Sequence, residues 1–310
     1  MPYRLKDHHL NHIFSIINKY YEIYGVSKKS KKFSRIEIAS DLIWINGRSQ
    51  MPPKKVLFED QQIISEDLNK KIAFVGMPLC DVSAIHHLIY KLRDSGLVPD
   101  RDDLLLIASE CKPDDACFCE FFGTDKRSGF DIYIQKNSSG YDAFSGTAAG
   151  EKILKKLALM PDHKLNLRPV THKSLNKLSK EEITKLIEKR GQFDDLWNKI
   201  ANNCFGCGAC TAVCPLCYCF RQEEKNNLDG SCKSCINWDS CFAKEFSEVQ
   251  NRADLRPQNV DRLYNWYHHK FVRSPYLCVG CGRCIKACPA NLNIKNILLS
   301  IEKLGEKSDE

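Results

Sequence analysis

The chain has 310 residues, of which 43% are hydrophobic and 27% are charged, a globular composition long enough for two domains. It contains no run of roughly 18 apolar residues that could span a membrane, and its start lacks the charged-then-apolar plan of a secretory signal. We therefore expect a cytoplasmic protein without membrane insertion. The net charge of +7 does not indicate nucleic-acid binding, because no stripe of basic and aromatic residues accompanies the scattered lysines.

The first half of the chain has the pattern of an α/β domain. Two apolar runs of strand length, 71–77 and 103–109, flank a segment with helical spacing that ends at Gly96. These segments predict a strand–helix–strand unit. A further half-buried strand is predicted over 129–136, and an amphipathic helix over 148–160.

Two segments in the second half repeat one cysteine pattern. CFGCGACTAVCP at 204–215 and CVGCGRCIKACP at 278–289 share the spacing C-x-x-C-x-x-C-x-x-x-C-P. This spacing is typical of paired 4Fe-4S clusters, in which three thiolates of a tight loop bind one cluster and the fourth crosses to the other. The total of 17 cysteines is odd, so complete disulfide pairing is impossible, and clustered thiols in a reducing compartment usually hold metal.

The crossed pattern assigns four thiolates to each cluster. The predicted ligands of the first cluster are Cys204, Cys207, Cys210 and Cys288, and those of the second are Cys278, Cys281, Cys284 and Cys214. Structural zinc also takes four cysteines, but it usually binds two separated C-x-x-C pairs rather than three close cysteines and a later Cys-Pro. Two clusters held side by side would form a short path for electrons.

These patterns predict an α+β fold overall, with an N-terminal α/β domain followed by a two-cluster ferredoxin-like domain that carries a cysteine-rich insertion. The α/β domain is expected over residues 1–170, where it could dock a partner. A polar helical linker is expected over 171–203. The dicluster domain is expected over 204–310, with its insertion at 216–277.

The remaining cysteines suggest two further sites. The insertion carries Cys217, Cys219, Cys232, Cys235 and Cys241. They could hold a further cluster or a zinc ion, or be free thiols packed around the two clusters. Candidates for a third cluster in the α/β domain are Cys80, Cys111, Cys117 and Cys119. Cys80 and Cys111 each follow a predicted strand, and adjacent parallel strands would bring both to one sheet edge. The alternative is that these thiols are buried as small apolar groups.

The common cofactor and catalytic motifs are absent from the sequence. No G-x-G-x-x-G follows a strand and no G-x-x-x-x-G-K-[ST] occurs, although a flavin could bind without either motif. The sequence also has no nucleophile elbow and no zinc-protease helix. We therefore assign no catalytic residue.

Six segments, in this order, make the chain resemble a known family. They are PPKKVLFED at 52–60, GMPLCDVSAI at 76–85, the cysteine run at 110–131, CFGCGACTAVCPLCYCF at 204–220, WDSC at 238–241, and YHHKF through NLNI at 267–294. The family comprises iron–sulfur subunits that include the beta subunit of soluble nickel–iron hydrogenases, or sulfhydrogenases, and the corresponding iron–sulfur subunit of anaerobic sulfite reductase. The resemblance covers about residues 50–298.

The resemblance implies a non-catalytic electron-transfer component of a multisubunit anaerobic oxidoreductase. Electrons would pass through it between two other members of the same complex, a catalytic subunit on one side and a flavin- or nicotinamide-handling subunit on the other. Two alternatives stay open from the sequence. In one, the α/β domain binds a flavin or deazaflavin and this chain reduces it; in the other, the chain is a free-standing ferredoxin-like carrier.

Overall fold

The computed structural model describes residues 1–45, 47–57, 62–63, 71–126, 128–168, 179–226, 232–249, 253–273 and 277–308. The chain divides into two compact units. The first unit comprises Met1–Phe58, Ser65–Asp115 and Gly123–His172. The second unit comprises Glu59–Ile64, Ala116–Phe122 and Lys173–Glu310.

Strands and helices are numbered along the chain through both units. The strands are β1 (Pro2–Leu5), β2 (Glu22–Ser27), β3 (Phe33–Arg35), β4 (Leu42–Ile43), β5 (Gln62–Ile63), β6 (Ile72–Met77), β7 (Leu104–Ser109), β8 (Ile132–Asn137), β9 (Gly140–Ser145), β10 (Phe220–Asn226) and β11 (Cys232–Trp238). The α-helices are α1 (Asp7–Ile17), α2 (Lys54–Leu57), α3 (Leu79–Leu92), α4 (Cys119–Phe122), α5 (Ala148–Lys155), α6 (Lys180–Glu188), α7 (Asp194–Asn203), α8 (Ala209–Ala212), α9 (Asn259–His268), α10 (Arg283–Ala287) and α11 (Ile294–Ser308). A π-helical turn, His269–Arg273, follows α9.

The first unit is built on an eight-stranded sheet with the order β1-β9-β8-β7-β6-β2-β3, in which β4 also pairs with β2. The central strands β2, β6, β7 and β8 are parallel, whereas β9 and β1 add an antiparallel edge. The predicted strand–helix–strand unit is confirmed, because α3 connects the neighbouring parallel strands β6 and β7. A right-handed crossover helix is the usual connection between such strands.

Both faces of this sheet are covered. Every residue of β6 and β7 is buried, as expected where helices pack on both sides of parallel strands. Val75 and Ile107 belong to a core with apolar residues of α1 and α5, whereas Phe74 and Leu106 belong to a second core with residues of α3. The alternation of side chains along each strand therefore separates the two cores.

A buried carboxylate joins three elements of the first unit. Asp131 precedes β8 and accepts hydrogen bonds from the Leu106 backbone N–H at 2.7 Å and from the Thr147 hydroxyl at 2.6 Å. Its other partner is the Arg101 guanidinium at 3.0 Å. Asp131 is 3% exposed, so these partners replace the water that its charge would otherwise need.

The second unit combines helices with a three-stranded antiparallel sheet of order β10-β11-β5. Helices α6 and α7, which cover the described part of the predicted linker, bury Ile183, Ile187 and Trp197 in the core of this unit. The start of that linker, 171–178, lies outside the described residues. The predicted α+β class is confirmed by the sheet-containing N-terminal region and the mixed helices and strands that follow it. Within the described ranges, no helix combines the length and the apolar character needed to cross a membrane.

Candidate metal centre

The two cysteine motifs fold into loops of the same backbone shape. In the first loop Gly206 and Gly208 have φ angles of +64° and +71°, and in the second Gly280 and Gly282 have φ angles of +63° and +69°. Each pair of glycines precedes a short helix, α8 or α10. These left-handed positions disfavour side chains with a Cβ atom, which gives the glycines of both motifs a structural reason.

Backbone amides are directed at the cysteine sulfurs. The N–H of Gly206 lies 3.4 Å from the Sγ of Cys204, and the N–H of Gly280 lies 3.5 Å from the Sγ of Cys278. A further amide, that of Leu292, lies 3.3 Å from the Sγ of Cys288. Hydrogen bonds to sulfur stabilise a thiolate and are one of the means by which proteins tune iron–sulfur clusters.

The four cysteines predicted for the first cluster lie together. A cavity of about 50 Å³ is lined by Cys204, Cys207, Cys210 and Cys288, and also by Cys284. Burial raises the pKa of Cys204, and the nearby Cys288 and Cys207 add to that shift. Cys288 belongs to the second motif, so the structure brings the last cysteine of one motif to the first cysteines of the other.

The second group shows the reciprocal arrangement. Burial raises the pKa of Cys284 well above its usual value, and the charges of Cys281, Cys278 and Cys214 raise it further. Burial likewise raises the pKa of Cys278 to about 12, with contributions from Cys214 and Cys281. Cys214, the last cysteine of the first motif, therefore lies among the thiols of the second.

This donor set fits iron–sulfur clusters. The thiols are shielded by apolar side chains that include Phe242, Trp266 and Tyr267, and metal binding would replace their protons. In the described part of the chain, no three His, Cys, Asp or Glu side chains are placed to hold a metal ion between them. A 4Fe-4S cluster binds each thiolate through a different iron, so its ligands stand further apart than those around one ion.

The two loops differ in exposure. In the first loop Cys207 is exposed and Phe205 is 71% exposed. The corresponding residues of the second loop, Cys281 and Val279, are buried. The first loop therefore presents an apolar side chain to solvent beside its thiols, and the second does not.

The segment Ala116–Phe122 covers the second loop. The Phe118 N–H donates a hydrogen bond to the Gly280 carbonyl at 2.8 Å, and the Cys117 thiol lies 3.8 Å from the carbonyl of Cys281. A Cβ atom on Gly282 would lie 2.2 Å from the carbonyl oxygen of Ala116. Backbone thus packs directly on backbone, which leaves no room for side chains in this part of the motif.

A buried lysine accompanies the second group of thiols. Lys270 is 5% exposed and its Nζ lies 3.2 Å from the Sγ of Cys214 and 3.8 Å from the Sγ of Cys217. Burial alone would lower the pKa of Lys270, but the charges of Cys214, Cys217 and Cys278 outweigh it and raise the pKa well above its usual value. The spacing of the cysteines gave no indication of this contact.

Three of the insertion cysteines lie around one cavity. Cys217, Cys219 and Cys241 line a space of about 290 Å³ together with Arg256 and Arg273. A hydrogen bond with Cys219 raises the pKa of Cys241, and burial adds to the shift. Cys235 is buried on β11, and Cys232 begins the same strand, with a side chain that lies outside the described residues.

The candidates for a third cluster in the first half divide between the units. Cys80 is buried in the first turn of α3 and Cys111 follows β7, so both lie beyond the carboxyl ends of neighbouring parallel strands in the first unit. Cys117 and Cys119 are buried in the second unit. A third cluster held by these four thiols stays a prediction.

Comparisons with known proteins agree with this chemistry. Residues 203–292 match a family model described as a 4Fe-4S dicluster domain. Over 322 aligned positions the chain is 26% identical to Sulfhydrogenase 2 subunit beta of Pyrococcus furiosus, an alignment that covers 95% of this chain and 96% of that protein. No solved structure matches the chain. The resemblance to iron–sulfur subunits of the hydrogenase-beta type is thereby confirmed.

Proposed function

We propose that this chain is an electron-transfer subunit of a hydrogenase-type complex and relays electrons through two 4Fe-4S clusters. The observation that carries the proposal is the exchange of Cys214 and Cys288 between two loops of the same shape. Its dicluster match and its similarity to a sulfhydrogenase beta subunit support the same function. When bound, each cluster would accept and release one electron at a time.

The ligands follow the exchange of the fourth cysteines. One cluster would be held by Cys204, Cys207, Cys210 and Cys288, and the other by Cys278, Cys281, Cys284 and Cys214. The amides of Gly206 and Gly280 would donate hydrogen bonds to ligand sulfurs, and Trp266 and Tyr267 would exclude water. Crossed ligation ties the two motifs into one compact unit and keeps the clusters adjacent.

The exposed first loop is the end at which a redox partner would exchange electrons with this chain. Phe205 and Cys207 reach solvent there, whereas Val279 and Cys281 are buried at the second loop. Electron transfer requires close approach, and aromatic side chains are enriched in protein interfaces. We propose that the occupant of this surface is another redox subunit of the same complex.

The insertion supplies the better supported third metal site. Cys217, Cys219 and Cys241 line one cavity, and they could be joined by Cys235 or Cys232 in holding a further cluster or zinc. The group formed by Cys80, Cys111, Cys117 and Cys119 is the other candidate. Zinc and iron contents separate these possibilities, because zinc occupies one equivalent and a further cluster adds about four irons.

The partners would be two other members of one complex in an anaerobic cytoplasm: a catalytic subunit, together with a flavin- or nicotinamide-handling subunit. The similarity to a sulfhydrogenase favours a hydrogenase or sulfur reductase over a sulfite reductase as the complex. No described feature of the chain favours the flavin-reducing alternative.

The relay can be tested on the chain purified without oxygen. Reductive titration with a low-potential dye should place about two electrons in the dicluster unit, and a second dye of higher potential should recover them. A further cluster would add about one electron to both steps. Absence of reversible electron uptake, in a chain that retains its iron, would contradict the relay function.

A further inference from the structure

Lys270 has a complete set of partners inside the second unit. Its ammonium nitrogen lies 3.2 Å from the Cys214 sulfur, 3.8 Å from the Cys217 sulfur and 3.2 Å from the Leu277 carbonyl oxygen. An ammonium group has three N–H donors and no acceptor. The three acceptors therefore account for all of its donors.

The backbone holds this lysine against the second motif. Leu277 directly precedes Cys278, and its N–H donates a hydrogen bond to the Lys270 carbonyl at 3.2 Å. The Nζ atom also lies 5.0 Å from the centre of the Trp266 ring, within the range of a cation–π interaction. Lys270 lies in the π-helical turn His269–Arg273, and such turns are rare and often occur at functional sites.

The burial of this cation needs a negative charge nearby. A lysine is almost never fully buried unless it is paired, because its charge loses the stabilisation given by water. The side chain has no carboxylate among its hydrogen-bond acceptors in the described residues; two of the three are cysteine sulfurs. Sulfur that carries negative charge, as in a thiolate bound to iron, would supply the missing counter-charge.

We propose that Lys270 is a positioning residue for the second cluster, where it fixes the crossing ligand Cys214 and compensates the negative charge of the cluster through hydrogen bonds to sulfur. This inference rests on the proposed function. Uptake of one electron adds one negative charge to the site, and a fixed cation nearby favours that more negative state. Lys270 therefore raises the reduction potential of the second cluster, and it affects the first cluster less because its contact is with Cys214.

The test replaces Lys270 in the full chain and measures the potential of each cluster. Lys270→Met removes the charge at nearly constant length, and Lys270→Gln removes the charge while keeping an N–H donor. The matched control is Lys286→Met, because Lys286 lies in α10 between two predicted ligands but is exposed, where solvent screens its charge. Cys281→Ala, which removes a ligand of the second cluster alone, identifies the signal of that cluster.

Iron content and redox titrations followed by electron paramagnetic resonance give the readout. Both Lys270 variants should shift the second cluster to lower potential than in the wild type, with a smaller shift at the first cluster and none in Lys286→Met. Selective loss of the second cluster with retention of the first would also support the role. Unchanged potentials with full iron content, the same shift in Lys286→Met, or loss of both clusters together would overturn it. A wild-type chain that binds no cluster would instead refute the proposed function itself.

Discussion

The backbone N–H of Phe118 donates a hydrogen bond of 2.8 Å to the carbonyl of Gly280, in the loop of the second cysteine motif. At Gly280 a Cβ atom would lie 2.4 Å from the Phe118 carbonyl oxygen, so the two backbones are in direct contact. The corresponding Gly206 of the first motif has nearly the same φ angle, but its nearest neighbour is the end of the Asn259 side chain at 3.1 Å. The two motifs thus share a shape but differ in what covers them.

This difference predicts unequal effects of the same substitution. Gly206→Ala should lower the free energy of unfolding by about 1–2 kcal/mol, the usual cost of a left-handed residue with a Cβ atom. Gly280→Ala should cost more and release iron from the second cluster, because the added methyl group meets backbone that cannot move aside. Anaerobic denaturant unfolding and iron retention measure both effects. Equal losses in the two variants would show that the Phe118 contact does not matter.

Crossed ligation predicts that each fourth cysteine serves the cluster of the opposite motif. Cys288→Ala should disturb the cluster held by Cys204, Cys207 and Cys210, whereas Cys214→Ala should disturb the cluster held by Cys278, Cys281 and Cys284. Electron paramagnetic resonance of the reduced variants distinguishes the two clusters. If Cys288→Ala altered only the cluster of its own motif, the crossed assignment would be wrong.

The exposed Phe205 predicts a site of contact with the redox partner. Phe205→Glu should weaken binding of that partner by about tenfold, equivalent to about 1.4 kcal/mol, because it places a charge where an aromatic ring is buried on association. Cluster potentials should change little, since the residue is 71% exposed in the free chain. Leu255→Glu is the control, since Leu255 is also in the second unit and is 64% exposed. Equal binding by both variants would remove Phe205 from the interface.

The buried Asp131 predicts a large effect on stability in the first unit. Asp131→Ala should cost about 3 kcal/mol, because it leaves the Leu106 N–H and the Arg101 guanidinium without their carboxylate. Asp94→Ala should cost less than about 0.5 kcal/mol, since the Asp94–Arg93 pair is largely exposed. Hydrogen exchange of the β7 and β8 amides compares the variants. Comparable protection in both would contradict the role of Asp131.

The sequence predicted those features that leave a regular pattern. The apolar runs of β6 and β7 and the helical spacing of α3 follow from burial on both faces of a parallel sheet, so their positions could be read from residue types. The repeated cysteine spacing similarly indicated the dicluster motifs. Both patterns arise because neighbours along the chain are subject to the same local requirement.

Other features depend on contacts between distant positions and left no such pattern. The N-terminal strand β1 is defined by its pairing with β9, and only four residues, Pro2–Leu5, take part. The contact of Lys270 with Cys214 joins positions on separate elements, and a single lysine among aromatic residues gives no periodic signal. The 148–160 segment was predicted as one helix, but α5 ends at Lys155 and Ala158 has a φ angle of +55°.

The central claim is that this chain carries two 4Fe-4S clusters, and metal content measures it most directly. Iron, acid-labile sulfide, zinc and flavin should be determined per chain after anaerobic purification, with electron paramagnetic resonance of the reduced protein. We expect about eight irons with equal sulfide, or about twelve with a further cluster, and signals from two interacting clusters. About one zinc with few irons and no signal from reduced clusters would contradict the account.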